Sequence, residues 1–154
     1  MTRPGQIIMF ALDQQRYGIP LDMVERVVRM VEITQLPTSP AFIHGVINVQ
    51  GKILPVLDLR QRLGLPGRRV ELSDQLIIIR SSTHSFALMT ETACQVRECT
   101  EQMVAETAEI LPGLPFLSGV VKFPDGLILL HDPELLLSPC ETKALGELMA
   151  QELS

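Results

Sequence analysis

A chain of 154 residues with 46% hydrophobic side chains is long enough to bury a core, or to build two small lobes that share an interface. Thirteen Lys and Arg against 18 Asp and Glu leave a formal charge of −5, and no Trp and one Tyr offer little to stack on bases, so the composition disfavours nucleic acid as a partner. Three cysteines without a C-x-x-C spacing exclude a disulfide framework, and no apolar run reaches the ~18 residues of a membrane span, which predicts a cytoplasmic protein with reduced, mostly buried thiols.

Ile7 to Leu12 reads as a strand, with Tyr17 to Pro20 as its hairpin partner across Asp13-Gln14-Gln15-Arg16. Leu21, Val24 and Val28 share a helical face, whereas the β-branched series Val24, Val27, Val28, Val31 and Ile33 favours strand, so a short helix leads into a strand. Pro37 and Pro40 then interrupt pairing. Gly45 to Gln50 and Ile53 to Leu57 flank Gln50-Gly51-Lys52 and form the strongest hairpin, because Gly51 can take the φ > 0 that a tight turn demands. Asp58 can cap a short helix over Leu59 to Leu63, which Gly64 and Pro66 stop. Residues 65–74 read as an exposed link, and the Arg60, Arg62, Arg68 and Arg69 cluster as a solvated face.

Gln75 to Arg80 and Ser85 to Met89 make another hairpin, Gln95 to Cys99 a strand, and residues 101–115 an acidic loop. Leu117 to Phe123 and Leu127 to His131 pair across Pro124-Asp125-Gly126. Ser138-Pro139-Cys140-Glu141 supplies a capping hydroxyl, a proline at the first helical position and a glutamate at N3. The apolar stripe Leu145, Leu148, Met149 and Leu153 then predicts a C-terminal amphipathic helix over about 139–153.

The segment Gly45 to Leu63 is echoed without a gap by Gly119 to Leu137, 119 − 45 = 74 residues later. Gly45/Gly119, Val46/Val120 and Asp58/Asp132 are identical, and the intervening apolar positions stay apolar. Ile7-Ile8-Met9-Phe10, then Tyr17 and Ile19, likewise precede Leu76-Ile77-Ile78-Ile79, then Phe86 and Leu88, by 76 − 7 = 69 residues. A duplicated β-unit follows. Alternation places Ile8, Phe10, Ile19, Ile47, Ile53 and Val56 in the core of one half, and Ile77, Ile79, Leu88, Val121, Leu127 and Leu129 in the other.

No reactive set emerges. His44, His84 and His131 lie in different segments without an i, i+4 partner, and Gly64-Leu65-Pro66-Gly67 lacks the Lys and Ser/Thr of a phosphate loop. Asp58 and Asp132 recur after a strand and before a helix, where capping fits better than a catalytic carboxylate pair. A chain of two β-units without such a set reads as a binding module.

At GVINVQGKILPVLDLRQRLGLP the sequence resembles the CheW family of bacterial chemotaxis coupling proteins, whose pattern is close to G-x-x-N-L-R-G-x-x-x-P-V-x-D-L-R. Phe10-Ala11-Leu12 with Tyr17-Gly18-Ile19, the lead-in from Leu36-Pro37 to Gly45, and Gly126-Leu127-Ile128-Leu129-Leu130 extend the likeness nearly end to end. The resemblance implies a mainly β chain, a single CheW-like domain over 1–154. It would hold two five-stranded SH3-like β-barrel subdomains, about 7–65 and about 75–137, with short helices, a C-terminal helix and a groove between the barrels.

It also implies a non-catalytic adaptor without metal or other cofactor, coupling the cytoplasmic tips of chemoreceptors (methyl-accepting chemotaxis proteins) to a CheA-type histidine kinase. Such a protein is monomeric alone and part of an array at the inner face of the membrane, without inserting into it. Carried over by position, Ile47, Asn48, Val49, Gln50 and Gly51 face the receptor, Val24 and Arg26 face the kinase, and Gly45, Asp58, Gly119 and Asp132 are structural. Gln50 stands where the family commonly has Arg, Arg26 where it usually has Glu, Thr90-Glu91-Thr92-Ala93 for Val-Asp-x-Val, and His131-Asp132 for Leu-Asp. On this basis Val24→Asp would weaken kinase binding in a folded protein if Val24 is exposed and would unfold it if Val24 is buried, and Gln50→Arg would strengthen binding to a conventional receptor tip or leave the native partner about tenfold weaker.

Three other readings compete. A CheW-like subunit of a non-flagellar pathway such as pilus-driven motility would use the same surfaces. A small enzyme needs a pocket where Asp58 or His131 converge, and an RNA-binding barrel needs a basic face.

Overall fold

Apolar runs too short for helices and bounded by turn residues become strands throughout the computed structural model, which describes residues 5–36, 41–67, 69–82, 84–91, 95–105 and 117–153. The strands are β1 (Gln6–Leu12), β2 (Gln15–Pro20), β3 (Val24–Arg29), β4 (Ile43–Val49), β5 (Lys52–Leu57), β6 (Gln75–Arg80), β7 (Ser85–Thr90), β8 (Gln95–Glu98), β9 (Val104–Ala105), β10 (Leu117–Phe123) and β11 (Gly126–His131). Helix α1 (Leu59–Arg62) follows β5, and helix α2 (Pro139–Leu153) closes the chain. The mainly β, SH3-like double-barrel expectation holds, while Pro37, Pro40, Arg68, Cys94 and most of the acidic loop lie outside the described residues.

The division into subdomains 7–65 and 75–137 does not match the sheets. One sheet runs β8-β1-β2-β11-β10-β9 and the other β3-β6-β7-β5-β4, so the first hairpin of each repeat is built into the sheet of the other repeat. Parallel pairing seals both exchanges: Val56 lies opposite Ala87, and Leu130 opposite Gly18. Sequence echo reports ancestry of segments, whereas pairing depends on which edges the connections let meet.

The repeat survives in the registers. Ile43 pairs with Leu57 and, after a bulge, Gly45 with Val56; 74 residues later Leu117 pairs with His131 and, after the same bulge, Gly119 with Leu130. Val27 opposite Ile77 and Val96 opposite Ile8 repeat with the 69-residue offset. Gly45 is required by sterics, since a Cβ there would lie 2.6 Å from both Ile33 Cγ2 and the Thr34 backbone oxygen, where a bridge to Val46 curls the five-stranded sheet.

Hairpin exchange also redistributes the expected cores. Ile8, Phe10 and Ile19 pack with Ile77, Ile79, Phe86 and Leu88 in a central core between the sheets, joined by Leu145 and Leu148 of α2. Ile47 and Val56 pack with Leu76 and Ile78 inside one barrel, and Ile7 with Val121, Ile128 and Leu130 inside the other. β1 and β6 therefore bury both faces, which explains runs such as Leu76-Ile77-Ile78-Ile79 in antiparallel strands. On β11 the expected phase is wrong: Ile128 and Leu130 are buried, Leu129 is half-buried and Leu127 is exposed beside the turn, while Ile53 on β5 is half-buried.

Candidate functional site

The β4–β5 hairpin projects its turn into solvent because both turn residues adopt the left-handed region, Gln50 at φ 52° and Gly51 at φ 86°. The Gly51 N–H donates to Asn48 Oδ1 at 2.8 Å, which satisfies a backbone group the ladder no longer reaches. Asn48, Gln50, Gly51 and Lys52 are exposed, Val49 is half-buried, and Ile47 is buried in the barrel core. Of the five residues expected to face a receptor, Ile47 can support the tip but cannot touch a partner.

Arg26 and Val24 come from β3, at the edge of the same sheet. The pairing with β6 slips between Val24 and Arg26, a bulge that re-aims side chains. Arg26 is exposed and its Nη1–H donates to Gln50 Oε1 at 2.9 Å. A residue assigned to the kinase face and one assigned to the receptor face thus touch. Val24 is half-buried against the central core, so of the two outcomes expected for Val24→Asp its position favours destabilisation of the fold.

A second set, invisible as a spacing, ties the sheets together. Arg60, expected on a solvated face, is 7% exposed; its guanidinium bonds both oxygens of Asp13 at 2.9 and 2.8 Å, donates to Glu91, and gives Nε–H to the Pro66 carbonyl at 2.7 Å. The Asp13 hydrogen bond raises its pKa further above the already high arginine value, so the cation persists. Arg62 bonds both Glu141 oxygens, at 2.6 and 2.7 Å, and the Leu136 carbonyl at 2.7 Å, docking α2 beside α1. The D-L-R-x-R string carried the signal, but only contact reveals its purpose; Arg69 is exposed.

Asp58 and Asp132 cap, through Oδ1, the backbone N–H groups of Arg60 at 3.0 Å and Glu134 at 2.9 Å. They end strands in different sheets, and His131 is buried against the Tyr17 ring, with centroids 5.2 Å apart. Gly119 is buried at the β10 bulge. At the second hairpin turn, Arg97 and Arg16 bond Asp125 and hold its carboxyl below the usual range. Among the described residues no three His, Cys, Asp or Glu side chains gather to hold a metal, and no helix is long and apolar enough to cross a membrane. Cys99 is buried, which pushes its thiol pKa up, and Cys140 is exposed. Where the two sheets meet, a cleft of about 620 Å³ opens between Ser81 and Phe86 on one side and Pro133, Leu135, Leu137 and Thr142 on the other.

Comparison with known proteins addresses the architecture as a whole. The chain is 30% identical to the scaffolding protein TtCheW of Thermoanaerobacter tengcongensis, with a TM-score of 0.78 over 88% of this chain and 93% of that one. It is 26% identical over 141 residues to a probable chemotaxis protein CheW of Rhizobium etli, covering 90% of this chain and 91% of that protein. Protein FrzA of Myxococcus xanthus is 31% identical over 119 residues, 77% of this chain and 69% of FrzA. A sequence model of the CheW-like domain matches residues 6–141, which takes in β1 through the start of α2, and the chain therefore belongs to the CheW family.

Proposed function

We propose that the protein is a non-catalytic cytoplasmic adaptor that couples the tips of chemoreceptors to a CheA-type histidine kinase. The observation that carries this reading is the likeness, over 88% of the chain, to a CheW scaffold at 30% identity. The exposed β4–β5 tip, with Asn48, Gln50 and Gly51, is the receptor-facing element, supported from below by Ile47 and Val49. The β3 edge faces the kinase through Arg26, with Val24 holding the edge on the core. The protein is monomeric alone and joins an array beneath the membrane when both partners are present.

A second reading places the same scaffold in a non-flagellar pathway such as pilus-driven motility. It is favoured by the likeness to a protein named FrzA rather than CheW, together with the altered residues 26 and 50. Purified protein, a soluble receptor-tip fragment and the kinase, taken from one chemosensory operon at a time, test both readings. The expected result is a ternary complex and receptor-dependent kinase activity with one operon's components. No binding to any receptor or kinase would overturn the adaptor role.

A further inference from the structure

We infer that Arg26 and Gln50 form one recognition unit that makes the hairpin tip select a receptor segment bearing an acidic side chain; this deepens the receptor-coupling reading and rests on it. The two positions are 24 residues apart and lie on different strands, yet they are both departures from the family pattern and they touch at 2.9 Å. A contact between the two altered positions means that the changes are read together. The usual Glu and Arg would sum to −1 + 1 = 0 at that contact, whereas Arg26 and Gln50 sum to +1 + 0 = +1.

The surroundings leave that charge standing. Among the described residues no carboxylate pairs with Arg26, and the adjacent Glu25 is turned to Arg80 at 3.2 Å. Lys52, exposed in the same hairpin, adds a second cation. Gln50 contributes its carbonyl oxygen to orient the guanidinium and brings no charge of its own, so Arg26 is held at the tip with its charge intact. A partner carboxylate opposite the tip would gain a charge-assisted bond, while a partner built for a neutral Glu and Arg pair would gain none.

Of the two outcomes expected for Gln50→Arg, this geometry favours weaker binding to the native partner. That change alone would bring two guanidinium groups together and break the Arg26 bond, so it should weaken binding to any receptor that the native tip accepts.

Titration of one receptor-tip fragment, as wild type and with each exposed Glu replaced singly by Gln, against wild-type protein, Arg26→Gln, and the double variant Arg26→Glu with Gln50→Arg tests the inference at low and high salt. Arg26→Gln should weaken binding about tenfold at low salt and less at high salt. One Glu→Gln fragment should reproduce that loss and show no further loss with Arg26→Gln. The double variant should remain folded and lose the preference for the Glu-bearing fragment. Equal affinities of wild type and Arg26→Gln at both salts would overturn the inference while leaving the adaptor reading intact. Failure of wild-type protein to bind any receptor fragment would remove both.

Discussion

Arg60 and Glu134 hold the same place in the two repeats, two residues beyond a capping aspartate, and each reaches the first hairpin turn of the other sheet. Arg60 is buried and takes Asp13 with two parallel bonds, adding Glu91 and the Pro66 carbonyl. Glu134 is exposed and accepts bonds from the Ser82 N–H at 2.6 Å and hydroxyl at 2.8 Å. The backbone scheme was kept in both copies, but one junction became a buried ionic knot and the other a surface hydrogen bond. Equivalent positions in a duplicated fold thus need not carry equivalent energies.

The widest break in that comparison is Arg60→Ala. It leaves Asp13 and Glu91 facing each other without a cation; because the Asp13 carboxylate is 44% exposed and can take water, the loss should be about 2–4 kcal/mol, below the full cost of breaking a buried ion pair. For a chain of this size thermal unfolding should begin on the order of 10 °C lower. A Tm within a degree or two of wild type would show that the knot is neutral. Gly45→Ala comes next, because the new methyl meets a backbone oxygen that the curl of the sheet holds in place; a loss of about 1–3 kcal/mol is expected in urea unfolding. An unchanged midpoint would mean that the Thr34 segment shifts freely.

Much of this was legible beforehand. The hairpins, the Asp58 cap and the Ser138–Glu141 capping box, with bonds of 3.1 and 2.9 Å, follow from local chemistry, and local chemistry is what sequence spacing encodes. The exchange of hairpins was not, because echo and alternation are blind to which edge a hairpin joins. For the same reason Arg60 looked solvated: its carboxylate partners lie 47 and 31 residues away. The Arg26–Gln50 contact was half visible, as two departures from a pattern with no sign that they touch.

Ser82→Ala tests the weaker junction. The hydroxyl bond disappears but the backbone N–H still reaches Glu134, and the partner carboxylate remains hydrated, so about 1 kcal/mol or less should be lost. A loss rivaling Arg60→Ala would abolish the distinction between the two junctions.

The finest test concerns Glu141, which gives the side of the molecule near α1 a further tie. Arg62 holds the Glu141 carboxyl below the usual glutamate range, helped by the Ser138 N–H, while burial pushes the other way. A depressed value in the folded state means that the unfolded chain binds the proton more readily. The stabilisation is therefore complete above the ordinary glutamate pKa of ~4.3 and drains away as pH falls through the lower folded value. Glu141→Gln keeps a side-chain oxygen for the capping box and removes the charge, so its cost should be roughly 0.5 kcal/mol at pH 7. Melting curves of both proteins from pH 7 down to about 3 should converge, since protonated glutamate resembles the amide. A gap that stayed constant over that range would assign the tie to shape and hydrogen bonding alone, with no ionic part for Arg62 to supply.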